Sequence, residues 1–282
     1  MIEIQNHLVN DGYFIHEFTK LDALKKIREL CQEECFKYFP SAFSELANYH
    51  RIDNTSDQHD DFQYHLFSSL NKLKLHHQFV KDNLSFFTQL FGPDLDVQTQ
   101  AYLRISRPNQ KQDNIGLHRD TDYGNSAYEV SFSLPLIDQT EGAGLNVIAS
   151  SHKYKEYEIE QVVRQDVAKG DPKNRMGFLY APKTPVNIDY KNLKCISLPF
   201  GAGLGFTLGL IHGQIQNTSD MTRWSIDFRV KNSFHPVTKN LKDDYYSSFR
   251  SGLISKIAKE YYDNNPEEKG TLILTSNRAG KC

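Results

Sequence analysis

Apolar residues in the N-terminal third of the chain recur with the period of an amphipathic helix. Residues 19–39 show this period clearly, and Thr19 is a suitable N-cap for a helix there. The apolar positions of this stretch are Leu21, Leu24, Ile27, Leu30 and Cys31. Residues 67–91 show the period again and end at Gly92-Pro93, a combination that stops helices. Residues 41–66 have no clear period, so the pattern predicts two helices joined by an irregular segment.

Farther along the chain the period changes to the two-residue alternation of a half-buried β-strand. Residues 97–106 alternate mostly apolar with polar side chains, and residues 130–136 and 224–230 do the same. Gly142-Ala143-Gly144 predicts a turn that leads into a further strand. Helices followed by many strands predict an α+β fold that is mostly β with flanking helices. The strand pattern favours a double-stranded β-helix core, the cupin-like jelly roll.

The length of the chain fits one domain. Its 282 residues suffice for a single large domain with a substantial core. Within residues 1–282 we expect a helical support in residues 1–94 and the jelly-roll core in residues 95–230. We expect a C-terminal helical segment in residues 231–282.

Two segments of this plan have a separate interpretation. Residues 154–194 are polar and longer than most loops, which predicts a lid over a substrate site, with a short helix at residues 157–167. Residues 241–262 have a helical period that ends before Pro266. That period is typical both of a helix that covers the core and of a helix through which two copies form a homodimer.

Charge and cysteine content exclude several classes of protein. A formal net charge of −2 and a pI near 6.6 give no basic field, so we expect no nucleic-acid partner. The N-terminal residues have neither a cationic start nor a long apolar run, and no stretch has the length of a membrane span. Four scattered cysteines are too few for a disulfide framework. We therefore expect a cytoplasmic protein without a membrane partner.

Three residues have the types and the spacing of metal ligands. His118 and Asp120 are two positions apart, so in extended backbone both side chains point to the same side. His212 ends the apolar run 206–212, which predicts a buried strand. Each residue alone has an ordinary structural interpretation, a loop or core histidine for example. Together they predict a metal held on one side by two imidazoles and one carboxylate, with its other side open.

Arg223 follows His212 by eleven positions and opens the alternating run 224–230. A lone arginine is usually a surface cation or an ion-pair partner. Beside a metal site, however, its guanidinium can hold a carboxylate with two parallel hydrogen bonds, which a lysine cannot do.

The order His118-x-Asp120, distant His212 and then Arg223 resembles the Fe(II)/2-oxoglutarate-dependent dioxygenases. The resemblance is greatest to the phytanoyl-CoA dioxygenase-like family and covers about residues 10–230. Further segments that agree with that family are Gly12-Tyr13-Phe14-Ile15, Gly144-Leu145-Asn146-Val147-Ile148, Ser150-Ser151-His152-Lys153 and Asn217.

The resemblance implies a set of roles. Fe(II) would be held by His118, Asp120 and His212, with 2-oxoglutarate and O2 as cosubstrates. The far carboxylate of 2-oxoglutarate would lie on Arg223 and a hydroxyl such as that of Ser225. Succinate and CO2 would leave, and the substrate would be hydroxylated at a C–H bond. Hydroxylation is favoured over halogenation, because related halogenases have a small residue in place of the aspartate.

The remaining pocket residues are assigned from their positions. The polar face of residues 97–106 carries Tyr102 and Arg104, which either contact the cosubstrate or are simply solvated. Arg119, Asp122 and Asn146 lie near the expected pocket mouth and suggest a polar small-molecule substrate. Arg119 points opposite to its neighbours, and a structural salt bridge is an equally good interpretation of it.

Two other classes of function stay open from the sequence. A metal-binding jelly roll could catalyse isomerisation or epimerisation without oxygen, and would then need neither 2-oxoglutarate nor Arg223. A non-catalytic binding module could keep the fold alone, although an intact set of three ligands argues against it.

Overall fold

The structure is a computed structural model that describes residues 1–163, 183–238 and 244–269. The middle of the predicted lid and the start of the predicted helix 241–262 lie outside the described residues. The described α-helices are α1 (Ile2–Asn10), α2 (Asp22–Tyr38), α3 (Ser56–Leu73), α4 (Leu75–Asp82), α5 (Leu84–Phe91), α6 (Leu253–Asn264) and α7 (Pro266–Lys269). The described strands are β1 (Tyr13–Glu17), β2 (Leu95–Gln98), β3 (Tyr102–Ser106), β4 (Val130–Pro135), β5 (Leu145–Ile148), β6 (Gln161–Val163), β7 (Lys183–Pro185), β8 (Leu193–Ile196), β9 (Ala202–Thr207), β10 (His212–Gly213), β11 (Arg223–Asn232) and β12 (Tyr246–Arg250).

Two antiparallel sheets form the core of the fold. The larger sheet has the order β1-β9-β4-β11-β2-β12, and β3 also pairs with β11. The smaller sheet has the order β10-β5-β8, and β6 and β7 form a separate hairpin. Because β9 and β10 follow each other in the chain but belong to different sheets, the turn between them joins the two sheets.

The alternation of β11 explains how the larger sheet serves two purposes. Trp224, Ile226 and Phe228 are buried in the main apolar cluster, together with side chains of α2 to α5. The alternate positions of the strand, among them Arg223, Asp227 and Arg229, line a pocket on its opposite face. A side-chain period of two therefore gives one face to the helical layer and the other to a polar interior.

The helical layer differs from its prediction in three places. α2 begins at Asp22 and Leu21 is its N-cap, so Thr19 lies outside the helix. α3 begins at Ser56, inside the segment predicted to be irregular, because Thr55 and Gln58 form a capping box. The single helix predicted for residues 67–91 was wrong, since the chain breaks at Lys74, which has a φ of 47°.

Several predicted strands and segment types also need correction. The run 97–106 is divided into β2 and β3, and the run 206–212 is a strand end, a turn and β10. The 1–94 segment is not purely helical, because β1 pairs with β9 at the edge of the larger sheet. The 231–282 segment contributes β12, which pairs with β2.

The lid stays a prediction, and the helix predicted for residues 241–262 is in fact β12 followed by α6 within the described residues. Residues 157–163 form the end of a 3-10 turn and β6, so the described part of the predicted helix 157–167 is not helical. α6 is a helix as expected, and it buries none of its residues among those that the structure describes. It therefore covers no part of the described core, and a homodimer through α6 stays a prediction. None of the helices in the described part of the chain combines the length and the apolar character that a bilayer span requires.

Phe132 tests the contact between the helical layer and the larger sheet. Its ring is fully buried and lies 5.2 Å from that of Phe87 and 5.8 Å from that of Phe228, measured between centroids. Phe132→Ala should lower the free energy of unfolding by about 3–5 kcal/mol, because it leaves a cavity between helix and sheet. Urea denaturation measures this loss, with the exposed Phe234→Ala as the control. Equal losses in both variants would contradict the assignment.

Candidate metal centre

The structure brings His118, Asp120 and His212 together. One ligand atom from each of the three residues lies within 4.8 Å of the other two. Asp120 Oδ1 is 3.5 Å from His118 Nε2 and 3.9 Å from His212 Nε2. All three residues are buried, with 5–6% of their surface exposed. This arrangement can hold one metal ion on one side and leaves the pocket side open.

Backbone pairing sets the position of the two histidines. His118 N donates to His212 O at 2.9 Å and His212 N donates to His118 O at 3.0 Å. Each ring also donates from Nδ1 to a carbonyl two residues earlier, Gly116 O at 2.8 Å and Leu210 O at 2.9 Å. With the Nδ1 protons held in this way, both Nε2 lone pairs are available to a metal.

The local backbone places Asp120 beside His118. Arg119 is extended, with φ −110° and ψ 136°, so the residues before and after it point to the same side, as the sequence predicted. Asp120 then begins a 3-10 turn, Asp120–Tyr123.

Gly213 permits the close approach of the two segments that carry the ligands. Its φ is +152°, and a Cβ there would lie 1.9 Å from Gly116 O. Since no side chain tolerates such a distance, only glycine allows these two segments to pair next to His212.

The electrostatics of the site keep Asp120 and His212 in the protonation states that bind a cation. Burial alone would raise the pKa of Asp120, but Arg229 and the two imidazoles hold it well below its usual range. Burial, followed by the neighbouring His118, lowers the pKa of His212 to about 4. Asp120 is therefore a carboxylate and His212 a neutral imidazole at neutral pH, which are the forms that bind metal.

Arg223 lies where a carboxylate ligand could reach it. The residue is buried in the pocket wall, where Nη1 donates to Gln214 Oε1 at 3.1 Å and Nη2 donates to Ser133 Oγ at 3.4 Å. Arg223 Nε and the Oγ of Ser225, on the same face of β11, are buried without a hydrogen-bond partner among the described residues. Unpaired buried donors are costly, so the two groups fit a ligand that accepts hydrogen bonds.

Tyr102 and Arg104 line the same pocket, on the polar face that the alternation predicted. Arg104 Nε donates to Asp227 Oδ2 at 2.9 Å across the neighbouring strand β11. Contact of Tyr102 or Arg104 with a cosubstrate stays a prediction.

The three predicted substrate contacts are occupied elsewhere. Arg119 Nη2 donates to the backbone carbonyl of Ser151 at 2.6 Å. Asn146 Oδ1 accepts from Ile215 N at 3.3 Å, and Asp122 Oδ2 accepts from Gln161 Nε2 of β6 at 2.8 Å. None of the three is among the described residues that line the pocket. Their side chains hold the surrounding loops, and a substrate contact of any of the three stays a prediction.

Sequence reasoning missed the partner of Asp120. Arg229 Nη2 donates to Asp120 Oδ2 at 2.7 Å, and Arg229 Nη1 donates to the hydroxyl of Tyr245. Tyr245 lies just before β12, in the segment expected to be helical. The only signal in the sequence was that Arg229 and Arg223 share a face of one alternating strand, and this signal does not identify the partner.

A buried polar network supports the pocket wall from behind. Asp113, which lines the pocket, accepts two hydrogen bonds of 2.9 Å from the guanidinium of Arg107. His59 lies beside this pair, with Nε2 3.9 Å from Asp113 Oδ1 and Nδ1 3.1 Å from the hydroxyl of Tyr49. Burial lowers the pKa of His59 to about 4. The imidazole is therefore neutral at neutral pH and forms part of the packed wall.

No family model matches the chain, and neither does any curated protein. Solved structures do match. The chain is similar to the non-heme monooxygenase ThoJ, with 18% identity over 88% of this chain and 84% of that chain and a TM-score of 0.55. It is similar to the non-heme alpha ketoglutarate dependent carbocyclase SnoK from nogalamycin biosynthesis, with 12% identity over 87% and 95% of the two chains and a TM-score of 0.50.

The chain is also similar to the epimerase SnoN, solved in complex with Fe3+, alpha ketoglutarate and nogalamycin RO. Here the identity is 13% over 88% and 98% of the two chains, with a TM-score of 0.50. At these identities the likeness establishes the fold. The predicted jelly-roll core with flanking helices is confirmed.

The depressed pKa of His59 predicts a pH dependence of stability. In the unfolded chain the pKa of His59 is about 6.5, so this imidazole binds a proton as the pH falls below that value. In the folded protein it binds a proton only near pH 4. The contribution of the neutral His59 to the free energy of unfolding is therefore complete above pH ~6.5 and is lost as the pH falls toward about 4. His59→Gln, which cannot titrate, should reduce the slope of unfolding free energy against pH by up to about 1.4 kcal/mol per pH unit between these values. Urea denaturation at several pH values measures both slopes, and parallel slopes would contradict the prediction.

Proposed function

We propose that the protein is a non-haem Fe(II)- and 2-oxoglutarate-dependent oxygenase. The observation that carries the proposal is a single pocket that combines two features. One is the buried set of His118, Asp120 and His212. The other is Arg223, a buried cation with an unpaired Nε, beside the unpaired hydroxyl of Ser225. The first suits a cation and the second suits a carboxylate. The sequence resemblance to the phytanoyl-CoA dioxygenase-like family supports the same combination.

The three ligands would hold Fe(II) from one side. Among the described residues, these three form the group of histidine, cysteine and acidic side chains that could hold a metal. Three protein ligands with open positions are typical of non-haem Fe(II) oxygenases. Iron at this place, with 2-oxoglutarate and O2, would supply oxidising power to a substrate C–H bond, and succinate and CO2 would be released.

Arg223 and Ser225 would orient the cosubstrate. Gln214 and Ser133 hold the guanidinium, which fixes the direction of its unpaired Nε. A far carboxylate placed there would gain a charge-assisted hydrogen bond in a buried setting, where such bonds are strong. The side chains of the pocket would also exclude water from the oxidant.

We propose hydroxylation of a polar small molecule as the reaction. Asp120 occupies the position that related halogenases leave open for halide, so the third protein ligand stays in place. The pocket wall carries hydrogen-bonding side chains, among them Gln98, Tyr102 and Asn114, which suit a polar substrate.

Epimerisation is the second candidate, because SnoN, an epimerase, shares the fold. An isomerase that works without 2-oxoglutarate would leave the buried donors of Arg223 and Ser225 without a use. An epimerase that does consume 2-oxoglutarate would release succinate without adding oxygen to its product. Product mass therefore separates the two reactions once a substrate screen, scored by succinate formation, has found a substrate. A non-catalytic module would form no succinate.

The metal ligands are tested by spectroscopy and turnover together. Anaerobic Fe(II) with 2-oxoglutarate should give the weak visible charge-transfer band of the chelate, and admission of oxygen should yield succinate. Asp120→Ala and His212→Ala should each abolish iron-dependent succinate formation, because two ligands do not hold the ion in place. Full turnover in either variant would remove that residue from the site. Absence of both band and succinate in the wild-type protein would refute the proposal.

Arg223→Lys tests the cosubstrate anchor. The change keeps the charge but removes the unpaired Nε donor, which lysine lacks, so 2-oxoglutarate binding should weaken by a few kcal/mol, on the order of 100-fold. Titration of the anaerobic Fe(II) protein with 2-oxoglutarate measures the affinity. Arg250→Lys is the control, because this half-buried arginine of β12 donates to Pro93 O and does not line the pocket. Equal affinity in both variants would assign the anchor to another residue.

A further inference from the structure

The two oxygens of Asp120 have different surroundings. Oδ1 faces the imidazoles, 3.5 Å from His118 Nε2 and 3.9 Å from His212 Nε2. Oδ2 points away from them and accepts a hydrogen bond of 2.7 Å from Arg229 Nη2. One oxygen is therefore directed to the candidate metal position, and the other is already engaged by a cation.

Arg229 is itself held from several sides. Its backbone N donates to Gln98 Oε1 at 3.1 Å, and its Nη1 donates to the hydroxyl of Tyr245. Its side chain is 12% exposed. Gln98, in β2, therefore holds the backbone of Arg229, while Tyr245, just before β12, holds one end of its guanidinium. An arginine held in this way restrains the carboxylate that it contacts.

We propose that Arg229 is a positioning residue that keeps Asp120 a one-oxygen metal ligand. The inference rests on the proposed function. An octahedral ion held there would have six positions, of which His118, Asp120 and His212 would take three and leave three for 2-oxoglutarate and oxygen. A carboxylate with both oxygens free readily binds a cation through both. By holding Oδ2, Arg229 keeps a position open that 2-oxoglutarate needs.

The charge of Arg229 also disfavours binding of a metal ion through Oδ2 of Asp120. Asp120 shares its negative charge with the guanidinium, which makes Oδ2 a poorer donor to a cation than a free carboxylate oxygen. The neighbouring Tyr246 donates to Glu129 Oε2 at 2.5 Å, which ties the start of β12 to the segment before β4. The C-terminal strand thereby supports the candidate metal centre through Tyr245.

Co(II) is a suitable probe, because its visible absorption reports the number of ligands and needs no turnover. Arg229→Met is the test variant. Its Co(II) spectrum should change, as expected when the second oxygen of Asp120 replaces another ligand, and its affinity for 2-oxoglutarate should fall about 10- to 100-fold, the range in which loss of a partner of a metal ligand lowers metal affinity or activity. Arg229→Lys, which keeps a charged donor, should recover most of the wild-type spectrum and affinity.

Lys231→Met is the matched control. Lys231 lies on the same strand, is more deeply buried than Arg229, and pairs with Asp96 Oδ2 at 2.8 Å, away from the three ligands. Its loss should lower the melting temperature, as loss of a buried ion pair does, and leave the Co(II) spectrum and the 2-oxoglutarate affinity unchanged. Tyr245→Phe removes only one of the contacts of Arg229 and should change both properties several-fold less than Arg229→Met. It provides the measurement if Arg229→Met does not fold.

The outcomes separate this inference from the proposed function. Wild-type protein that binds neither Co(II) nor 2-oxoglutarate overturns both. Wild-type protein that binds both, with an Arg229→Met or Tyr245→Phe variant that has the same spectrum and affinity, overturns the role of Arg229 alone. A change of equal size in Lys231→Met also overturns it, because the effect would then be one of stability. A changed spectrum in Arg229→Met that Arg229→Lys restores, with Lys231→Met unchanged, supports it.

Discussion

The antiparallel backbone pair between His118 and His212 determines where the site lies. Residues directly opposite each other in such a pair present their side chains on the same face. The two hydrogen bonds of this pair, 2.9 and 3.0 Å long, therefore bring two imidazoles together with no other element between them. Their ring centroids are 4.5 Å apart. The turn to Asp120, the narrow contact at Gly213 and the placement of β10 in the smaller sheet all depend on this pair.

The sequence predicted the grouping of His118, Asp120 and His212 better than it predicted the elements around them. His118 and Asp120 could be recognised because an i, i+2 spacing in extended backbone is a local property, and Arg223 because it opens an alternating strand. The contact between Arg229 and Asp120 could not be recognised, since it depends on which strands become neighbours. Arg119 and Asn146 were assigned to the substrate by proximity in the chain alone. In the structure they form hydrogen bonds with Ser151 and Ile215, which could not be anticipated from the sequence.

The errors in the predicted fold also arise where an element depends on contacts with distant parts of the chain. The jelly-roll core was predictable because its strands alternate, with one face against helices and one against a polar interior. β1 and β12 were missed because they are short edge strands whose burial depends on a partner elsewhere in the chain. The start of α3 did have a local signal, the capping box of Thr55 and Gln58, which an emphasis on hydrophobic period overlooked. The break at Lys74 has no comparable signal, because a left-handed lysine is set by the packing of the helices on either side.

The contact between Asp120 and Arg229 also bears on the order in which the molecule is built. The two residues are 109 positions apart, and the loop between them closes only when β11 has entered the larger sheet. Contacts between such distant residues form late in folding, after the helices and local turns. A growing chain that has reached only residue 212 would carry three ligands but not the arginine that orients one of them. We therefore expect a metal ion to enter a nearly finished pocket, and not to serve as the template around which the chain folds.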